Sequence, residues 1–183
     1  MAELLTTEEY YARPELECGF EELLAGELLV SPCASSRHRE IIERLVDALR
    51  ALGRQYVVRA EVGVYLTKTP NPLDGRPSEI VPDVMVVRRV DWEAATKRGA
   101  KQRLAYRPLL AIEVLSPGNT EAEIMRKAHS YLREGCYECW IVDDDQQSVR
   151  LIYPDRAAEE VQDDIATPHP LPEVRIPLAE IFA

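Results

Sequence analysis

Several functional classes are excluded by what this chain has little of. Four cysteines in 183 residues, Cys18, Cys33, Cys136 and Cys139, are too few for a small secreted disulfide scaffold. Basic residues are outnumbered, 22 Lys and Arg against 32 Asp and Glu for a net charge of −10. That balance argues against a protein that coats polyanions, but not against a nucleic-acid enzyme whose positive charge is local. No apolar run approaches the ~20 residues that span a bilayer. The opening MAELLTTEEYYARPE lacks the basic start and apolar core of a secretory signal, so the expected compartment is the cytoplasm, with no membrane partner. Internal repeats, low-complexity segments and flexible linkers are absent. So are a Gly-rich phosphate loop and any Ser/His/Asp or Cys/His pattern. With 46% hydrophobic and 30% charged residues, the chain is expected to form one domain over 1–183 with a sizeable core.

The hydrophobic pattern predicts helices and strands in a mixed order. Thr6 and Glu9 form a capping box for a short opening helix. Phe20–Leu24 and Glu27–Val30 flank Ala25-Gly26 as a hairpin. Ile41, Ile42, Leu45, Val46, Leu49 and Leu52 make one stripe of a helix from Ser36 to Leu52, ended by Gly53. Alternation from Val58 to Leu66 predicts a half-buried strand, and 67–79 a turn-rich loop. Ile80–Val87 and Leu109–Leu115 are near-continuous apolar runs, as in central strands covered on both faces. A helix from Thr120 to Arg133, stopped by Gly135, precedes strands at Tyr137–Val142 and Val149–Tyr153. This order indicates an α/β or α+β sheet between helices rather than a repeated βαβ array. Cys136 and Cys139 have C-x-x-C spacing, which raises a zinc site with Cys18 and Cys33. The 15-residue gap of the first pair and the apolar run around Cys139 favour four buried, inert thiols instead.

Two acids break the apolar pattern, Asp83 in IVPDVMVV (80–87) and Glu113 in LLAIEVL (109–115). A carboxylate in a buried strand costs several kcal/mol unless it is paired or binds a metal. Asp83 could cap a strand after Pro82, and Glu113 could pair with an arginine. Two acids on consecutive central strands favour convergence on one cation, and hard oxygen donors without a His or Cys cluster favour Mg²⁺ or Mn²⁺. On the next helix Glu123, Lys127 and Tyr131 follow i, i+4 spacing, so Lys127 could reach back over the sheet. It could equally form a surface pair with Glu123 worth ~0.3–0.5 kcal/mol. Glu123 also completes a capping box with Thr120. His38 shares a helix face with Ile42, Leu45 and Leu49 and reads as a satisfied histidine at the edge of the core at least as well as a catalytic one.

Pro82-Asp83, then Glu113-Val114-Leu115 thirty residues on, then a helical lysine resembles the PD-(D/E)XK nuclease superfamily. More narrowly, the chain is similar to a bacterial family of restriction-endonuclease-like proteins, most of them functionally uncharacterised. The phrases that carry the resemblance are FEELLAGELLVSP (20–32) with SSRH (35–38), VPDVMVV (81–87), IEVLSPGN (112–119), KAHSYLREGCYECWIVD (127–143) and LPEVRIPLAEIF (171–182). It implies an α/β, restriction-endonuclease-like fold, a central mixed β-sheet flanked by helices with an N-terminal β-hairpin. It also implies a metal-dependent endonuclease that hydrolyses phosphodiester bonds in DNA. Asp83 and Glu113 would bind Mg²⁺ or Mn²⁺, with the Val114 carbonyl as an extra ligand. Leu115 stands where the superfamily places its lysine, so Lys127 would have to position water from the helix instead. Glu22 matches the acid of the hairpin motif and would complete the metal shell or orient water, and Glu27 matches a recurrent position of lower rank.

DNA would need local positive charge. Residues 88–107 carry Arg88, Arg89, Lys97, Arg98, Lys101, Arg103 and Arg107 against Asp91 and Glu93, and because this segment joins the two acid-bearing strands it is expected near the site. A solvated helical surface is the equal alternative. Asp155, Glu159, Glu160, Asp163 and Asp164 are expected to form a solvated edge. Cutting a duplex needs two sites, which makes a homodimer the expected assembly. Two other classes stay open: a catalytically silent relative that keeps the fold as an interaction module, and a zinc or small-molecule domain built on the cysteines.

Overall fold

The computed structural model describes residues 4–31, 33–97 and 107–183. Helix α1 (Thr7–Tyr11) carries the Thr6/Glu9 capping box. Strands β1 (Phe20–Leu24) and β2 (Glu27–Ser31) form the expected hairpin. Ala25 and Gly26 both have positive φ, 52° and 85°, the two-residue geometry that matches strand twist. A Cβ at Gly26 would stand 2.9 Å from Asn71 Oδ1. Helix α2 (Ser36–Leu49) runs into a 3-10 turn at Arg50–Leu52.

The single strand expected from Val58 to Leu66 is two strands in different sheets, β3 (Tyr56–Ala60) and β4 (Val64–Pro70). Alternation continues across the break, but Glu61 takes φ 52° and turns the chain out of the first sheet. The expected loop 67–79 shrinks to 71–76, because β4 extends to Pro70 and β5 (Pro77–Ile80) pairs with it. The run 80–87 is also divided. Ile80 ends β5, β6 (Val84–Arg88) begins four residues later, and Val81, Pro82 and Asp83 cross from one sheet to the other. Asp83 therefore precedes a strand rather than lying within one.

Then come α3 (Arg89–Thr96), β7 (Leu110–Val114), α4 (Glu121–Glu134), β8 (Glu138–Asp143) and β9 (Ser148–Ile152). The chain ends with β10 (Glu159–Val161), β11 (Asp164–Ala166), β12 (Arg175–Pro177) and α5 (Leu178–Phe182). Helix α4 begins at the Thr120/Glu123 capping box and ends at Gly135 with φ 112°, the left-handed stop that glycine permits.

The main sheet has six strands in the order β10-β9-β8-β7-β6-β3, and a second has four, β2-β1-β5-β4. In the main sheet β7 and β8 are parallel and the other pairs antiparallel. Successive side chains of a strand point to opposite faces, and the core divides accordingly. Val84, Val86, Leu110, Ile112, Val114, Trp140 and Val142 pack against Ile41, Leu45 and Leu49 of α2 and Ile181 of α5. Met85, Val87, Ala111, Cys139 and Ile141 pack against Ile124, Ala128 and Tyr131 of α4 and against Leu24, Leu66 and Ile80 of the smaller sheet. This is a mixed sheet between helices with an N-terminal hairpin, as expected.

Candidate active site

The two sheets and α4 meet at the Val81–Asp83 crossover, and the acidic residues of interest gather there. Glu113 follows Ala111 by two positions on β7, so it shares the face turned to α4. It is 3% exposed. Lys127, on the second turn of α4, sends Nζ to 2.7 Å from Glu113 Oε2. The same ammonium donates to Glu22 of β1 at 3.1 Å and to the Val81 carbonyl at 3.2 Å. One turn further along α4, the Tyr131 hydroxyl donates to Glu113 Oε1 at 2.7 Å. Glu22 also accepts the Val81 amide at 2.5 Å. The i, i+4 spacing of Lys127 and Tyr131 places both on one helix face, and each takes one oxygen of Glu113.

Asp83 is more open, with its side chain 19% exposed. Its Oδ2 accepts the Val114 amide at 2.6 Å, while Oδ1 lies 3.2 Å from His38 Nε2. His38 Nδ1 in turn lies 3.2 Å from Ser116 Oγ. A Ser–His–Asp hydrogen-bonded chain is therefore present, although its members are 33 to 78 positions apart in the sequence and no local pattern displays it. A pocket of about 80 Å³ is lined by Glu22, His38, Asp83, Glu113, Ser116 and Lys127, with Phe20, Asn119 and Glu123 among the other walls.

The electrostatics follow from burial. Desolvation, with Asp83 and Glu22 adding to it and Lys127 opposing, pushes the Glu113 carboxyl up to about 8. Burial alone would lower Lys127, but the surrounding carboxylates outweigh it and hold the ammonium above the ordinary lysine range. Burial, reinforced by Glu113, holds the Tyr131 hydroxyl well above its usual value, so it stays a donor. Three acidic side chains, Glu22, Asp83 and Glu113, thus face one ammonium.

Among the described residues no group of three or more His, Cys, Asp and Glu side chains is set as a metal cage. A cation held by one or two carboxylates and completed by water, the usual mode of Mg²⁺, needs none. The surplus of acidic groups over ammonium and a pocket with room for water beside Asp83 fit that mode.

The cysteines correct the expectation of four buried thiols. Cys18 and Cys33 form a disulfide and are exposed. It joins the chain just before β1 to the chain just after β2. Cys136 and Cys139 are buried and free. The four do not converge, which removes the zinc arrangement.

Other expected positions fall outside the cluster. Glu27 pairs with Arg126 at 2.7 Å and does not line the pocket. Leu115 packs partly buried against the α4-side core. The described ends of the basic segment lie away from the site. Because β6 and β7 are antiparallel, the end of β6 at Arg88 and the start of β7 at Leu110 lie at the end of the strand pair opposite Asp83 and Glu113. At about 3.3 Å per residue, a five-residue strand sets the two ends roughly 15 Å apart. Arg88 pairs with Asp91 and Arg89 with Glu93, and Arg98, Lys101 and Arg103 lie outside the described residues. The acidic stretch is exposed as expected, although Glu160 takes bonds from Ser148 and Arg150. No helix of the described residues is long and apolar enough to cross a membrane. Tyr131 was not singled out as a functional residue by the sequence. Its signal was there, one turn beyond Lys127.

A family model described as "Uma2: Putative restriction endonuclease" matches residues 7–179. The fold is similar to that of a crystal structure described as a putative nuclease belonging to DUF820 from Anabaena variabilis. That match has a TM-score of 0.76 and 21% identity over 97% of each chain. No curated protein matches the chain.

Proposed function

Given that the chain belongs to the Uma2 putative restriction endonuclease family, we propose that it is a Mg²⁺- or Mn²⁺-dependent endonuclease that hydrolyses phosphodiester bonds in DNA. The observation that carries this reading is the ammonium of Lys127, 2.7 Å from Glu113 in the pocket that Asp83 also lines. Leu115 leaves the strand position without a cation, and a lysine from α4 reaches the same carboxylate. A long flexible ammonium can serve one site from different backbone positions.

Asp83 and Glu113 would hold the cation, with the Val114 carbonyl as a further oxygen. When bound, the cation would polarise the phosphoryl oxygen and lower the pKa of a coordinated water. Glu22 anchors both the Val81 amide and Lys127, so it keeps the crossover and the ammonium in register. Lys127 would position the attacking water and offset charge building on the phosphoryl oxygens. Tyr131 holds the far oxygen of Glu113 and fixes the carboxylate plane. DNA as substrate and a homodimeric assembly belong to this proposal.

A plasmid-cleavage assay in Mg²⁺ or Mn²⁺ tests it. Asp83→Ala and Glu113→Ala should each lower cleavage at least about 100-fold, and Lys127→Ala should also be severely impaired. Equal cleavage by wild type and both carboxylate variants would assign the activity to a contaminant. Full turnover by Lys127→Ala would remove that residue from the mechanism.

A second reading has its own support. All three N–H donors of Lys127 are spent inside the protein, on Glu113, Glu22 and Val81. A catalytically silent relative that keeps the fold as an interaction module would bind no divalent cation at millimolar concentration and cut nothing.

A further inference from the structure

Helix α2 packs on the face of the main sheet opposite α4, yet it sends one side chain round the rim to the pocket. His38 is the fourth residue after Pro32-Cys33-Ala34, its amide held by the N-cap Ser35 at 3.1 Å. Its side chain is 10% exposed. The ring lies between two acceptor-bearing partners. The Asp83 carboxylate can only accept, so the proton belongs on Nε2, which donates to Oδ1 at 3.2 Å. Nδ1 is then left to accept the Ser116 hydroxyl at 3.2 Å. In this tautomer both ring nitrogens are committed to protein partners, and neither has a lone pair to offer a metal.

Asp83 is thereby gripped at both oxygens from different elements. The Val114 amide of β7 holds Oδ2 at 2.6 Å, and α2 holds Oδ1 through His38. A carboxylate at the start of a strand, one-fifth exposed, has several rotamers open to it. Two bonds at roughly opposite ends of the group leave one orientation.

From this geometry we infer that His38 is a positioning residue that presents Asp83 to a divalent cation, with Ser116 fixing the ring's orientation. The inference rests on the proposed role of Asp83 as a cation ligand. Groups that orient a metal ligand typically cost 10–100-fold in metal affinity when removed.

Mn²⁺ binding to the full chain, followed by the free-ion electron paramagnetic resonance signal, provides a readout independent of cleavage. Asp83→Ala should abolish binding at the site. His38→Leu should weaken it about 10–100-fold, whereas His38→Gln, whose amide can still donate to Asp83, should stay within about threefold of wild type. Electron spin-echo modulation of the Mn²⁺-bound wild type should show no directly coordinated nitrogen. His38→Leu binding like wild type, or a folded His38→Gln as weak as His38→Leu, overturns the inference while Asp83 remains a ligand. A nitrogen coupling lost in His38→Gln overturns it too, by making His38 a ligand itself. Equal binding by wild type and Asp83→Ala, or none by wild type, fails the proposed function and this inference with it. Should His38→Leu fail to fold, the glutamine variant and the nitrogen spectrum decide.

Discussion

The two faces of the six-stranded sheet are built from alternate residues of the same strands and solve opposite problems. Toward α2 and α5, β7 presents Leu110, Ile112 and Val114 to a core of aliphatic side chains and Trp140. Toward α4 it presents Ala111 and then Glu113, which is tied to Lys127 and Tyr131. Each face also holds a buried glutamate, and the pair shows the difference best. Glu138 of β8, on the α2 side, is 5% exposed and is served at 2.5 Å by the Trp140 indole. Glu113 is embedded in a network of four side chains and a backbone carbonyl. Burying ion pairs seldom adds stability over apolar packing of the same volume. A network of that kind on one face alone therefore points to function rather than to stability.

Three variants would break or sharpen this contrast. The largest effect belongs to Ile112→Glu, which moves an acid by one residue and so onto the aliphatic face. Placed among the aliphatic side chains of that core, the substitution should cost about 4–5 kcal/mol or more, and urea unfolding should find little native protein. A normally stable Ile112→Glu would show that the faces do not differ. Next comes the pH dependence of Glu113. Its folded value of about 8 lies above the ordinary carboxyl value of 4.5, so the native state holds a proton that the unfolded chain releases. That contribution is complete below about pH 4.5 and is lost as the pH rises toward 8. In metal-free protein the melting temperature of wild type should therefore fall relative to Glu113→Gln across this interval. Parallel curves would mean that the carboxyl is not desolvated as described. The smallest effect is Tyr131→Phe, which deletes one hydroxyl from Glu113 Oε1. Above pH 8, where Glu113 is charged, a bond to it is worth about 1.5–3 kcal/mol, and differential scanning calorimetry there should register that loss with the fold intact. No loss would mean that Glu113 holds its place without the helix's second donor.

Much of this arrangement was legible from periodicity. The hairpin, α4 with both its caps, and β7 were readable because each shows a local signal: a turn pair, a capping box with a terminal glycine, an unbroken apolar run. Asp83 and Glu113 stood out because they interrupted such runs. What failed had no local signature. The alternation of 58–66 ran straight through the bend at Glu61, since a left-handed residue leaves the polar–apolar order unchanged. The same blindness put Asp83 inside a strand when it sits on a crossover between sheets. Cys18 and Cys33 meet because the hairpin brings its two ends together, which spacing alone does not reveal. The His38–Asp83 and His38–Ser116 contacts span 45 and 78 positions, so only the folded chain displays them.

The antiparallel pairing of β6 with β7 has a practical meaning for engineering. Since β6 ends and β7 begins at the end remote from the carboxylates, helix α3, which follows β6 directly, offers an attachment point. A reporter or a targeting group could be attached to the exposed face of α3, or that face altered through evolution, with the acidic cluster left at its original spacing.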